Sequence, residues 1–142
     1  MSEPYCLAMV LCDAVHRDRA TGKRTILGTF SAVSATEFPT SFSLSVYYAI
    51  TDASGEFPVT FRIVDSAHAF DEQSEPVFQV DATLRSPSPL AVHEGVIGLS
   101  PVTLPEPGVY HCELLHGEEL LMSRRLVAIC VSHTEADHGE GS

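Results

Sequence analysis

The 142-residue sequence contains no tryptophan, and none of its cysteines form a Cys-x-x-Cys pair. Such a pair marks a zinc ribbon or a thioredoxin-like redox site, so both classes are excluded. The sequence also has no Gly-x-Ser-x-Gly element, which a hydrolase with a serine nucleophile elbow would carry. No segment repeats apolar residues at helical spacing over three turns. The chain is therefore expected to consist of strands.

Basic residues are scarce, because eight Lys and Arg stand against nineteen Asp and Glu, which gives a net charge of −11. Nucleic acids and anionic membranes would repel such a chain, so neither is expected as a partner. The apolar run at residues 5–11 is too short to span a membrane and follows no basic residue. It predicts neither an anchor nor a signal peptide, so we expect a cytoplasmic protein.

The length and the 44% hydrophobic content predict one domain with a substantial core. We expect this domain to cover residues 1–132, because residues 133–142 form an acidic segment with no apolar anchor, which predicts a disordered tail. In a reducing compartment, free cysteines behave as small hydrophobic residues and are expected to be buried. The four cysteines are Cys6, Cys12, Cys112 and Cys130.

Alternation of apolar and polar residues predicts seven or eight strands. The clearest pattern lies at residues 42–50, where Leu44, Val46 and Tyr48 point to the core. A turn at residues 52–55 leads to a similar pattern at 57–63, and we expect the two segments to pair as an antiparallel hairpin. Further strands are predicted at residues 5–12, at 25–33 with Gly28 marking a bulge or a close backbone approach, at 78–84 and at 90–99.

The last third of the chain reads as a corner followed by a β-hairpin. Strand 109–115 is followed by a tight turn at His116 and Gly117 and by a second strand from Glu119. A change of apolar parity predicts a bulge at residues 123–125, with Val127, Ile129 and Val131 pointing inward. Gly108 and Tyr110 stand at the corner, where β-sandwiches often place a tyrosine that ties the corner to the strand. The fold class predicted is an all-β, single-domain antiparallel β-sandwich of immunoglobulin-like or C2-like type.

Three segments resemble a family of small bacterial β-sandwich proteins of unknown function. They are a CDAV-like step at the end of the first strand, a TGK-x-x-I-x-G-x-F turn and strand, and a PG-x-Y … G-x-x-L hairpin. The resemblance implies the β-sandwich fold and carries over no catalytic residue. The matching residues are Thr21, Gly22, Lys23, Ile26, Gly28, Phe30, Pro107, Gly108, Tyr110, Gly117 and Leu120.

Two acidic groupings raise the question of a metal site. Asp13, His16 and Asp18 are expected in one loop, but two arginines lie among them and would repel a cation. Loop carboxylates at one end of a sandwich can bind calcium, but the two that flank strand 57–63 are expected at its opposite ends. The loop carboxylates considered for this site are Asp52, Asp65, Asp71 and Glu72.

Two possible catalytic motifs are also incomplete. Thr21-Gly22-Lys23 lacks the first glycine and the following helix of a phosphate-binding loop. His93, His111 and His116 fall on predicted strands or a turn with no nucleophile elbow nearby.

We therefore expect a non-catalytic binding or assembly module without a cofactor or a metal site. It would act by protein–protein interaction, through an edge strand, end loops, or self-association. The candidate contact residues are Ser43, Ser45 and Tyr47, which form a small uncharged outer face. A divalent-metal (calcium) or small-ligand domain using the acidic end loops is the alternative, and an enzyme of another type is a third reading.

Overall fold

The computed structural model describes residues 3–68 and 75–132, and in this part of the chain nine strands form two sheets. The sheet order is β2-β1-β4-β7 in the first sheet and β3-β9-β8-β5-β6 in the second. The predicted β-sandwich is confirmed, whereas the expected seven or eight strands is too low a count. The strands are β1 (Tyr5–Arg17), β2 (Arg24–Thr29), β3 (Ala32–Ala35), β4 (Thr40–Thr51), β5 (Gly55–Asp65), β6 (Phe78–Ser86), β7 (His93–Leu104), β8 (Gly108–His116) and β9 (Glu119–Cys130).

The strand order follows the immunoglobulin pattern. In that pattern, strands B and E are neighbours in one sheet, and strands C, F and G are consecutive in the other. Here β4 and β7 correspond to strands B and E, and β5, β8 and β9 correspond to strands C, F and G. The protein is therefore an immunoglobulin-like sandwich. The acidic tail expected at 133–142 lies outside the described residues.

The predicted hairpin between residues 42–50 and 57–63 is wrong. β4 pairs with β1 and β7, whereas β5 pairs with β6 and β8 in the other sheet. The turn between them carries the chain across the core, with Asp52 at a φ of 61° and Ala53 buried. Alternation identifies the face of each strand that is buried, and here the two buried faces oppose each other instead of sharing one sheet.

The prediction of a single strand at residues 25–33 is also wrong. The segment forms two strands, β2 and β3, because the chain changes sheets at Phe30 and Ser31. The Val127 N–H donates to the Ser31 carbonyl at 2.9 Å and marks the start of the parallel pairing of β3 with β9. Gly28 has a φ of 68°, and a β-carbon there would collide with the Asp13 carboxylate. Of the two alternatives predicted for Gly28, no bulge is present, and the close neighbour is the Asp13 side chain instead of another backbone segment.

The strand predicted at 90–99 begins only at His93 and continues through Pro101 to Leu104. It can do so because the register shifts where Ser43 of β4 lies opposite two residues of β7. A proline at such an irregularity, on a strand at the sheet edge, removes no ladder hydrogen bond.

The closing hairpin of β8 and β9 is confirmed, with Gly117 at a φ of 62° in its turn. The predicted bulge at 123–125 is wrong, because the register shifts at Leu121 instead. An extra residue at that earlier position reverses the parity of the later residues of β9. Leu126 and Ala128 are consequently buried, and Ile129 is exposed, contrary to the prediction.

The core lies between the inward faces of the two sheets. Three of the four cysteines are buried as predicted, and burial raises the pKa of the Cys112 thiol to about 12. Cys130 is exposed, which corrects the prediction for that residue, because it ends β9 beyond the core. The side chains with no measurable exposure are Met9, Cys12, Val46, Ile50, Ile63, Val102, Leu104, Cys112 and Leu126.

Tyr110 is the predicted corner tyrosine. Its side chain is buried, and its hydroxyl donates to the Glu106 carbonyl at 2.6 Å while the Glu106 N–H approaches the same oxygen at 3.4 Å. Gly108, at a φ of 148°, adopts a backbone conformation that other residues rarely take. The corner between β7 and β8 is therefore fixed by one side chain and one glycine.

We expect Tyr110→Phe to lower the free energy of unfolding by about 1 kcal/mol, the net value of one hydrogen bond, without changing the fold. Denaturant unfolding followed by circular dichroism measures this loss. Tyr5→Phe is the matched control, because Tyr5 is exposed, and it should leave stability unchanged. A Tyr110→Phe protein as stable as the parent would contradict the corner assignment.

Candidate functional site

The outer face of the first sheet carries a group of four exposed hydroxyl residues, Ser41 and Ser43 on β4 and Ser100 and Thr103 on β7, which we call the hydroxyl face. The Ser41 and Thr103 hydroxyl oxygens lie 2.8 Å apart, and those of Ser43 and Ser100 lie 2.7 Å apart. Each hydroxyl therefore has a partner across the strands, and none of the four side chains is charged.

Of the three contact residues predicted from the sequence, only Ser43 is exposed. The half-buried Ser45 donates its hydroxyl to the Asp13 carbonyl at 3.4 Å, and the half-buried Tyr47 donates to the Glu94 carboxylate at 2.5 Å. β4 is also interior to its sheet, so it offers a face and no free backbone edge. The three residues share the outer face as predicted, but two of them are held by neighbouring parts of the chain.

Arg24 extends this surface into a cluster that the sequence did not indicate. Its guanidinium lies 3.7 Å from the Glu94 carboxylate and 3.4 Å from the Glu94 carbonyl. Arg24 begins β2 and Glu94 lies on β7, which occupy opposite edges of the four-stranded sheet. The β1–β2 hairpin must therefore bend so that its Arg24 end reaches the far edge. We call Arg24, Tyr47, Tyr48, His93 and Glu94 the Arg24 cluster.

Tyr48 occupies the inner side of the same cluster. Its hydroxyl lies 3.1 Å from His93 Nε2, and its ring covers Gly95, where a β-carbon would collide with the hydroxyl. The Phe57 ring packs edge-on against His93 at 6.4 Å between centroids. Gly95 thus provides the space that allows Tyr48 to reach the edge strand.

The pKa shifts in the cluster follow from burial and the two charges. Burial raises the pKa of Tyr47 to about 12, assisted by the hydrogen bond and the charge of Glu94 and opposed by Arg24. Burial also raises the pKa of Tyr48. The pKa of His93 is lowered below its ordinary 6.5 by burial and further by the Arg24 charge. All three side chains are therefore held in their neutral forms near pH 7.

The first metal grouping does not assemble. β1 extends to Arg17, so Asp13 and His16 are strand residues of opposite parity and not members of a loop. Asp18 accepts from the Ala20 N–H at 2.7 Å, which closes a turn. Within residues 3–68 and 75–132, no three His, Cys, Asp or Glu side chains are grouped so that they could hold a metal ion.

The acidic end loops offer no combined site among the described residues. Asp52 precedes β5 and Asp65 ends it, so the length of an 11-residue strand separates them. Asp71 and Glu72 lie outside the described residues, and the calcium alternative stays a prediction.

The other two histidines considered as catalytic candidates, His111 and His116, are in structural contacts. His111 lies 3.1 Å from the Ser66 hydroxyl, and the nearby Asp65 carboxylate accepts from the Ala67 N–H at 2.9 Å. The ring of His116 contacts the Pro58 carbonyl at 2.8 Å through Nδ1. The turn of Thr21, Gly22 and Lys23 leads into a strand, as the sequence indicated, and not into a helix.

Residues 7–129 match the family of unknown function DUF6941. The chain belongs to this family. The resemblance seen in the sequence to a β-sandwich family without an assigned function is thereby confirmed. No curated protein matches the sequence. The described residues contain no helix of the length and hydrophobicity needed to cross a membrane.

The crystal structure of an immunoglobulin-like protein from Pseudomonas aeruginosa is similar over 89% of this chain and 97% of that chain, with 14% sequence identity and a TM-score of 0.46. A similarity of this size carries no argument about function. The immunoglobulin-like arrangement rests on the strand order and the tyrosine corner described above.

Lowering the pH should destabilise the fold through His93. Its pKa in the folded protein lies below 6.5, so the unfolded chain takes up the proton first, and stability present above about pH 6.5 is lost as the pH falls. The His93→Gln protein should show a weaker loss of unfolding free energy between neutral and mildly acidic pH. A histidine ring titration by NMR with a His93 midpoint at or above 6.5 would contradict this.

We expect Gly95→Ala to lower the free energy of unfolding by about 1–3 kcal/mol, because the new methyl group overlaps Tyr48, which is buried and bound to His93. Gly98→Ala on the same strand is the control, since a β-carbon there meets open space. Thermal and denaturant unfolding compare the two. Equal stability of both variants would show that Tyr48 is free to move.

Proposed function

We propose that this chain is a non-catalytic binding module that acts by protein–protein contact through the hydroxyl face, with a second copy of the chain as its partner. The observation that carries the proposal is the internal pairing of the four exposed hydroxyl groups at 2.7 and 2.8 Å. Removing water from a hydroxyl costs less free energy when that hydroxyl already has a hydrogen-bond partner in the protein. The hydroxyl face can therefore be covered at low cost.

The neighbouring residues extend this face without adding net charge. Val96 pairs with Tyr47 and is exposed, and Gly98 pairs with Ser45. The Glu94 carboxylate, at the end of this row, is in an ion pair with Arg24. A partner that covers the face would bury apolar and hydroxyl groups together with an already neutralised pair, which suits a protein interface.

The charge of the chain restricts where a second copy can make contact. Each copy carries a net charge of −11, so two copies repel each other over most of their surfaces. An uncharged face allows close approach because it adds no repulsion at the contact. Two sheets can then pack face to face at about 10 Å, as the two sheets of a sandwich do.

Ser43→Lys tests this function, because it places a charge at the centre of the exposed hydroxyl pairs without touching the Arg24 cluster. We expect the parent protein to show a mass that rises with concentration in sedimentation velocity, and the Ser43→Lys protein to remain monomeric over the same range. The charge would be buried without a partner in the assembled form.

Two controls accompany this variant. Ser43→Ala removes the hydroxyl but keeps the face uncharged and should still associate. Thr83→Lys adds the same charge at an exposed position on β6 of the other sheet and should associate like the parent. A parent that is monomeric at every concentration, or equal weakening by Thr83→Lys, would reject the proposal.

A further inference from the structure

A cleft of about 300 Å³ opens between the two sheets at the edge opposite to β7. It is lined by residues 9–11 of β1, residues 29–31 at the crossing from β2 to β3, and Arg124 and Arg125 of β9. Its volume is that of a small ligand site. The hydroxyl face lies between β4 and β7, so this cleft is a separate feature of the molecule.

The cleft exists because two edge strands are each too short to cover their neighbours. β2 pairs only with residues 12–17 of β1, and β3 pairs only with residues 127–130 of β9. The strand edges at residues 9–11 and 124–125 are consequently left uncovered side by side. Phe30 closes one end, where its N–H donates to the Leu11 carbonyl at 3.2 Å.

Backbone donors point into this space. In an antiparallel strand the N–H and C=O groups of one residue point to the same side, and alternate residues repeat that direction. The carbonyl of Met9 accepts from Arg124 and that of Leu11 accepts from Phe30, so the N–H groups of Met9 and Leu11 face the same way. The Arg125 N–H shares the direction of the Val127 N–H, which reaches Ser31.

Arg124 lies on the inward side of β9 opposite the buried Cys112, whereas Arg125 shares the outer side with His111, so Arg124 is the residue that brings positive charge to the cleft. The ion pairs among residues 3–68 and 75–132 are Arg24 with Glu94 and Arg62 with Glu113, so neither Arg124 nor Arg125 has a carboxylate partner there.

The Arg124 side chain is also held in place. Its Nε donates to the Met9 carbonyl at 2.9 Å, and another guanidinium nitrogen contacts the Ser123 carbonyl at 3.4 Å. These contacts fix the Arg124 guanidinium and use only some of its N–H groups. The other N–H groups can donate to an oxyanion.

We propose that this cleft binds a small oxyanion, the phosphate or carboxylate group of a small molecule. Arg124 provides the charge, and the backbone N–H groups of Leu11 and Arg125 and the hydroxyls of Thr29 and Ser31 provide further donors. In a chain of net charge −11, an anion can be retained only where donors and positive charge converge locally. This site is independent of the proposed self-association and can fail or succeed without it.

The test is a titration of the full chain with inorganic phosphate, and separately with acetate, at constant pH and ionic strength, followed by amide NMR shifts. We expect saturable shifts at residues 9–11, 29–31 and 124–125 with at least one of the two anions. Shifts with phosphate alone assign a tetrahedral ligand, and shifts with acetate alone assign a carboxylate.

Variants locate the site. Arg124→Gln should weaken binding about tenfold, the effect of losing one charge-assisted hydrogen bond. Arg85→Gln removes the same charge from an exposed position on β6 and should bind like the parent. Ser31→Ala removes a lining hydroxyl, should also weaken binding, and keeps the test decisive if loss of the Met9 contact prevents Arg124→Gln from folding. Absence of saturation with both anions, or equal weakening by Arg85→Gln, would overturn the proposal.

Discussion

The structure depends on one constraint, which is that each sheet must bury its inward face against the other. The strands β4 and β5, although joined by a turn, are placed on opposite sides of the core because Val46 and Ile63 both require burial. β4 then lies between β1 and β7, and its other face is left on the outside. The uncharged surface and its position in the middle of a sheet both follow from that placement.

The same constraint explains the free edges. The chain changes sheets at Phe30 and Ser31, so the strand length between Arg24 and Ala35 is divided between two edges and completes neither. Gly28 and the Asp13 carboxylate approach closely at this point, which no side chain at position 28 would permit. The open half of each edge would normally invite pairing with another chain, and arginine at residues 124 and 125 is the kind of residue that discourages it.

Periodicity in the sequence was sufficient to predict the sandwich, the closing hairpin and the corner of Gly108 and Tyr110, because these depend on local turns and on alternation within one strand. It could not predict partners between strands, since alternation at 42–50 is compatible with any neighbour that shares the same buried face. The contacts of Arg24, His93 and Glu94 were missed for this reason. The Arg24–Glu94 contact joins β2 and β7 across 70 residues of sequence, and His93 reaches Tyr48 because β7 is the neighbour of β4.

The hydroxyl face and the cleft differ in the charge that they carry and in how their backbone groups are paired. On the hydroxyl face the backbone of β4 is paired on both sides and that of β7 on one side, and the side-chain hydroxyls bond to one another across these two strands. At the cleft the backbone of β1 and β9 lacks a neighbouring strand, so backbone groups are left unpaired, and the Arg124 guanidinium adds N–H donors to them. A face with satisfied groups favours contact with a similar face, whereas an edge with unused donors favours an anion.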